Sequence, residues 1–86
     1  MADYRILLTR SAEREILELP GTIQERVERA IDLLRVTPRP SGSRKLRGSS
    51  GLWRIRVGDY RVVYMVDDRT RTIDVSHVRH RKDVYR

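Results

Sequence analysis

The chain reads as an α+β fold: an N-terminal strand, a two-helix hairpin, then an antiparallel sheet meander ending in a short C-terminal tail. Three observations predict it. Apolar and polar residues alternate with period two at Tyr4, Ile6 and Leu8. Helical spacing takes over at Ile23, Val27, Ala30, Ile31 and Leu34. Alternation then returns on both sides of Gly58-Asp59, a two-residue hairpin turn. Eighty-six residues suffice for one hydrophobic core and not for two, so residues 1–86 are expected to form a single domain.

The opening alternation, with Arg5, Leu7 and Thr9 on the second face, predicts a strand over about 3–9. Ser11 offers an N-cap, Glu13 and Glu15 suit the positive end of a helix dipole, and Pro20-Gly21 stops the segment, giving a helix over roughly 11–19. Thr22 and Glu25 have capping-box spacing and start a second helix over about 22–36. Its other face, with Glu25, Arg26, Glu28, Arg29, Asp32 and Arg35, is expected in solvent, and the apolar stripes of both helices need one sheet face to cover. Residues 37–51 are a loop by composition. A loop of this length is usually functional or mobile, and this one carries Arg39, Arg44, Lys45 and Arg47 around the apolar anchor Leu46. Strands follow over about 52–57 and 60–66, and a third, after the turn Asp67-Asp68-Arg69-Thr70, over roughly 71–78.

The absence of cysteine excludes disulfides, thiolate zinc sites and a cysteine nucleophile. His77 and His80 are the only good nitrogen ligands and have no carboxylate cluster beside them, so neither metal nor cofactor is expected. No apolar run approaches the roughly 20 residues of a membrane span. The first twenty residues are too charged for a signal-peptide core, so a cytoplasmic protein is expected. The net charge of +7 is local: residues 1–43 hold seven Lys/Arg against seven Asp/Glu, and residues 44–86 hold twelve against five. A basic half on a neutral half suggests a polyanion-binding face, nucleic acid ahead of acidic protein and membrane surface; the alternative is solubility charge.

If Gly58-Asp59 is the whole turn, Val57 pairs with Tyr60, Arg56 faces Arg61 and Arg54 faces Val63. Alternation then sends Arg54, Arg56 and Arg61 to one face and Trp53, Ile55, Val57, Tyr60, Val62 and Tyr64 to the other, the helix-covered core. Like charges directly opposite each other in a sheet cost a few tenths of a kcal/mol up to roughly 1. An anion between them removes that cost, and guanidinium donors match phosphate oxygens in pairs. The last residues, His77 through Arg86, follow directly from the final strand, and a helical turn over 81–85 would put Arg81 and Tyr85 on one side.

Lys45-Leu46-Arg47-Gly48, then Trp53 through Tyr64, then Val78 through Tyr85, resemble the successive motifs of the RelE/ParE superfamily of toxin–antitoxin toxins. The resemblance covers residues 44–86 closely and the helical half more loosely. It implies a RelE-like fold and a toxin that cuts messenger RNA, on the ribosome, by attack of a ribose 2′-hydroxyl on the adjacent phosphate. It also implies site residues: Arg54 and Arg56 before the turn, Arg61 after it, and Arg81 and Tyr85 near the end. The strand pair is often lysine in the family, and Arg79 stands where glycine is common.

Under this resemblance Tyr85 is the base, its phenolate favoured by surrounding guanidinium groups. Arg54, Arg56 and Arg61 hold the phosphate, and Arg81 stabilises the leaving group, a role in which arginine is a poor acid and a good electrostatic partner. His80 is a candidate acid. Arg44, Lys45 and Arg47 would bind RNA backbone with salt-sensitive affinity. The implied partners are a cognate acidic or amphipathic antitoxin, messenger RNA with the 16S rRNA region of the ribosomal A site, and operator DNA through the antitoxin complex; no membrane is implied. The related ParE branch, which inhibits DNA gyrase without cutting RNA, is the alternative, and a plain nucleic-acid-binding module is a third reading.

Overall fold

A computed structural model describes residues 3–48 and 51–84, with 83 and 84 by backbone alone. Strand β1 (Arg5–Leu8) is followed by helices α1 (Arg10–Leu17) and α2 (Gly21–Leu33). Strands β2 (Arg44–Lys45), β3 (Leu52–Val57), β4 (Tyr60–Asp67) and β5 (Thr72–His80) come next, and then the short helix α3 (Arg81–Val84). The strands form a five-stranded sheet in the order β1-β5-β4-β3-β2. Strands β3, β4 and β5 make the expected antiparallel meander, which β2 extends at one edge, while β1 lies parallel to β5, so the sheet is mixed.

Two helix starts differ from the sequence expectation. Thr9, not Ser11, caps α1: its Oγ1 accepts from the Ala12 amide at 3.1 Å and donates to the Ser76 carbonyl at 2.8 Å. Thr9 is already fixed there because its own amide donates to the Val75 carbonyl at 3.0 Å, tying the end of β1 to β5. The Thr22–Glu25 box is not used. Helix α2 begins from Pro20, whose carbonyl accepts from the Gln24 amide at 2.8 Å, so Thr22 lies inside the first turn.

One sheet face packs on the helices. Ile55 and Val57 from β3, Val62 and Tyr64 from β4, and Ile73, Val75 and Val78 from β5 are buried there against Ala12, Ile16, Val27, Ile31 and Leu34. Trp53, Ile23 and Tyr4 are partly buried around this core. The period-two and helical spacings of the sequence are thus satisfied together by a single apolar layer. Among the described residues, no helix is long and apolar enough to cross a membrane.

Candidate functional site

The β3–β4 hairpin positions the site. Gly58 has φ +61°, the backbone conformation that a two-residue turn of this kind requires and that glycine adopts without a steric penalty. With this turn, Val57 pairs with Tyr60, Arg56 with Arg61 and Arg54 with Val63, the register expected from the sequence. Directly paired residues project to the same side, so Arg54, Arg56 and Arg61 share the face opposite the helices.

The face is more basic than the hairpin alone. Arg44 on β2 pairs with Arg54, and Arg79 on β5 pairs with Arg61. Arg56, Arg61 and Arg79 therefore form a row across three adjacent strands. Arg61, on the central strand, is only 3% exposed, whereas Arg56 and Arg79 are exposed and Arg54 is half-buried. With so little screening water around it, the Arg61 guanidinium feels neighbouring charges more strongly than a surface one does.

Arg79 reaches this face because β5 is irregular. Val63 pairs with His77 but Tyr64 pairs with Val75, which leaves Ser76 as an extra residue in β5. Unbroken alternation from Ile73 and Val75 would send residues 77 and 79 into the core. The bulge instead buries Val78 and turns His77 and Arg79 to the arginine face.

Helix α1 supplies an anion at the same place. Glu15 accepts from the Val78 amide at 2.8 Å with Oε1 and from Arg79 Nε at 2.8 Å with Oε2. His77 Nδ1 stands 3.6 Å from Oε1, too long for a hydrogen bond. Burial pushes the Glu15 carboxyl up, but the Arg79 and Val78 hydrogen bonds and the positive charge of Arg79 outweigh it, and the carboxyl ends below its ordinary value.

The loop after α2 is anchored, not floppy. Asp68 accepts from Arg39 Nη2 at 2.9 Å and from the Tyr4 hydroxyl at 2.6 Å, and the Arg39 guanidinium lies 5.3 Å from the Trp53 ring centroid. The Arg39 hydrogen bond, then that of Tyr4, holds the Asp68 carboxyl below its ordinary value. Deeper in, the Tyr64 hydroxyl donates to the Pro38 carbonyl at 2.8 Å. Burial pushes this phenol up to about 12, against smaller opposing effects of Ser43 and Arg39. These ties deliver residues 44 and 45 to the edge of β3, where they form the short strand β2 inside the expected loop.

The remaining sequence candidates are placed as follows. Arg81 opens α3, is exposed, and donates its amide to the Asp59 carbonyl at 2.8 Å, which ties the tail to the hairpin turn. Tyr85 lies outside the described residues. Lys45 pairs with Trp53 and so projects to the opposite side from Arg44, and Arg47 is exposed in the loop beyond it. His80 pairs with Tyr60 on the helix side, its ring edge-on to Tyr60 with centroids 5.3 Å apart, and is not brought to the arginine row.

The model of the ParE toxin of the parDE type II toxin–antitoxin system matches residues 6–85. The chain belongs to this family of toxins. Toxin RelG of Mycobacterium tuberculosis is 34% identical over 84 residues, covering 96% of this chain and 97% of that protein. The archaeal RelE–RelB complex from Pyrococcus horikoshii contains a chain of the same fold, with a TM-score of 0.82 and 28% identity over 92% of this chain and 96% of that one. A chain of the intact Escherichia coli RelBE toxin–antitoxin complex superposes with a TM-score of 0.79 at 26% identity, covering 90% of this chain and 95% of that one. This RelE/ParE toxin thus has its arginine row on the sheet face away from the helices. Sequence reasoning missed Glu15, His77 and the Arg79 position. The signal for the last was present: Val75 and Val78 are three residues apart in an otherwise two-residue alternation, which marks a bulge.

Proposed function

We propose that this toxin is an endoribonuclease that cleaves messenger RNA on the ribosome, with the arginine face as its phosphate site. The observation that carries the reading is the row Arg56, Arg61 and Arg79 across three strands, with Arg54 and Arg44 beside it. A row of like charges is unfavourable by itself and favourable around a phosphodiester.

In the reaction the substrate's ribose 2′-oxygen forms a bond to the adjacent phosphorus as the bond from phosphorus to the 5′-oxygen breaks. The 2′-hydroxyl proton passes to a base, the 5′-oxygen takes a proton, and the products are a 2′,3′-cyclic phosphate and a 5′-hydroxyl. Arg54, Arg56 and Arg61 align the phosphate and offset the charge that builds on it. Tyr85 is assigned as the base by family resemblance and Arg81 as a stabiliser of the leaving oxygen. The anchoring of Arg81 to Asp59 supports a tail that starts beside the hairpin turn. Arg44, Lys45 and Arg47 add contacts to RNA backbone, and His80 is the less favoured acid because its ring lies against Tyr60 on the other side of the sheet.

A cognate antitoxin, the partner in the RelE–RelB and RelBE complexes, would hold this toxin inactive by covering the basic face. The test is primer extension on messenger RNA after induction of the wild type, Tyr85→Phe and Arg81→Ala. Cuts in the wild type that are lost in both folded variants, and absent where the cleaved position carries deoxyribose, are the expected result. Undiminished cutting in both variants would remove the site assignment. The ParE name of the matched family favours one second reading, gyrase inhibition, which predicts double-strand DNA breaks with intact messenger RNA.

A further inference from the structure

Among the described residues, no strand lies on the outer side of β5 beyond Val75. Strand β1 pairs with it only from Thr72 to Val75, and the Thr9 hydroxyl takes the Ser76 carbonyl. The next edge donor, the Val78 amide, is met by a side chain from a helix, Glu15. The same carboxylate holds Arg79 by Nε. The Glu15 side chain is 16% exposed beneath the Arg79 side chain, which is 43% exposed. Among the described residues nothing else engages Arg79 through a hydrogen bond or ion pair, so its two terminal amino groups remain for another acceptor.

A guanidinium presents five donors along separate edges, so one carboxylate at Nε still leaves a pair of N–H groups for a phosphate. An arginine already held has also lost much of the rotamer freedom it would give up on binding. Yet Glu15 is itself an anion beside a face built for a polyanion. If Arg79 were needed only for its charge, the chain would bind RNA better without Glu15.

We propose that Glu15 is a positioning residue, which fixes the Arg79 guanidinium by Nε so that its remaining donors grip a phosphate of single-stranded RNA. The proposal rests on the reading of the arginine face as an RNA site. Glu15 acts through Arg79 and need not touch RNA.

Two opposing effects make the test decisive. The probe is a single-stranded 2′-O-methyl RNA oligonucleotide, which binds but cannot be cut by 2′-hydroxyl attack, and its affinity is measured for the wild type, E15Q, R79A and the double variant. Glutamine keeps an acceptor for the Val78 amide and removes the charge that holds Arg79. R79A should weaken binding roughly tenfold, the cost of one charge-assisted contact. E15Q should weaken binding severalfold in the wild-type background, but leave it unchanged or tighter in the R79A background, where only the relief of repulsion remains. Equal weakening in both backgrounds, or tightening in both, overturns the proposal. A wild type that binds no oligonucleotide overturns the RNA reading itself, and the proposal with it.

A measurement on the wild type alone guards against a variant that does not fold. The Arg79 Nε–H resonance should be protected from solvent exchange and stay so when the oligonucleotide is added. Loss of that protection on binding would mean that Glu15 releases Arg79, and the positioning role would be refuted.

Discussion

Arg56→Thr separates the two roles of the arginine face because it should move stability and binding in opposite directions. Arg56 is exposed on β3 and sits directly opposite Arg61, so its guanidinium shares a cross-strand site with a like charge. Removing one member of such a pair is worth about 0.2–1 kcal/mol, and threonine suits an exposed strand position. Taking roughly 0.5 kcal/mol from the middle of that range, a chain of this size should melt about 2–4 °C higher. The gain should shrink as salt screens the repulsion, with a Debye length of about 10 Å at 0.1 M and about 3 Å at 1 M. Binding should change the other way: losing one phosphate contact lowers the slope of log affinity against log salt by about 0.7 for a single strand, without regard to sequence. Thermal melts at low and high salt, beside titrations of an uncleavable RNA over the same range, measure both. An Arg56→Thr protein that melts below the wild type at low salt, or that binds with an unchanged salt slope, refutes the reasoning.

Gly58→Ala should cost about 1–2 kcal/mol in urea unfolding through its left-handed φ of +61°. The added methyl has room, its nearest neighbour being the flexible Arg26 tip at 3.4 Å. Tyr64→Phe removes the hydrogen bond to the Pro38 carbonyl and should cost about 0.5–1.5 kcal/mol. It should also flatten the alkaline limb of the stability curve. The buried phenol ionises near 12 in the folded chain, so stability is full below the ordinary tyrosine value of 10.0 and is lost as pH rises from there towards 12. For Glu15 the sign is reversed. Its depressed carboxyl contributes stability above the ordinary value of 4.5, lost as pH falls through the lower folded value, so Glu15→Gln should unfold with a shallower acid limb.

The hairpin was legible in the sequence because one short turn fixes everything after it. Once Gly58-Asp59 is taken as two residues, the pairing of Arg56 with Arg61 follows from the period of the strand alone. The helix-covered core was legible for the same reason. Strand β2 was not, since Arg44-Lys45 has no strand character of its own and becomes a strand only by lying along β3. The caps went astray where tertiary contacts chose between equivalent residues. Ser11 and Thr9 both offer a hydroxyl, and the tie between Thr9 and β5 decided for Thr9. The link between Glu15 and Arg79 spans 64 positions and obeys no local period. Arg79 itself was hidden by the Ser76 bulge, which inverts every face after it.

That inversion explains why the two faces of this sheet are not independent. Over β3 they nearly are: Ile55 and Val57 face the helices and carry stability, while the exposed Arg56 carries charge at a site where substitution leaves the core alone. At the end of β5 the duties converge within two residues, Val78 closing the core and Arg79 completing the row. Glu15 binds both, taking the amide of one and the side chain of the other. A change at the exposed Arg56 should therefore alter binding with little structural cost, whereas a change at Glu15 loosens the sheet edge and the arginine row together. The helix that covers the core is in this way also part of the arginine face.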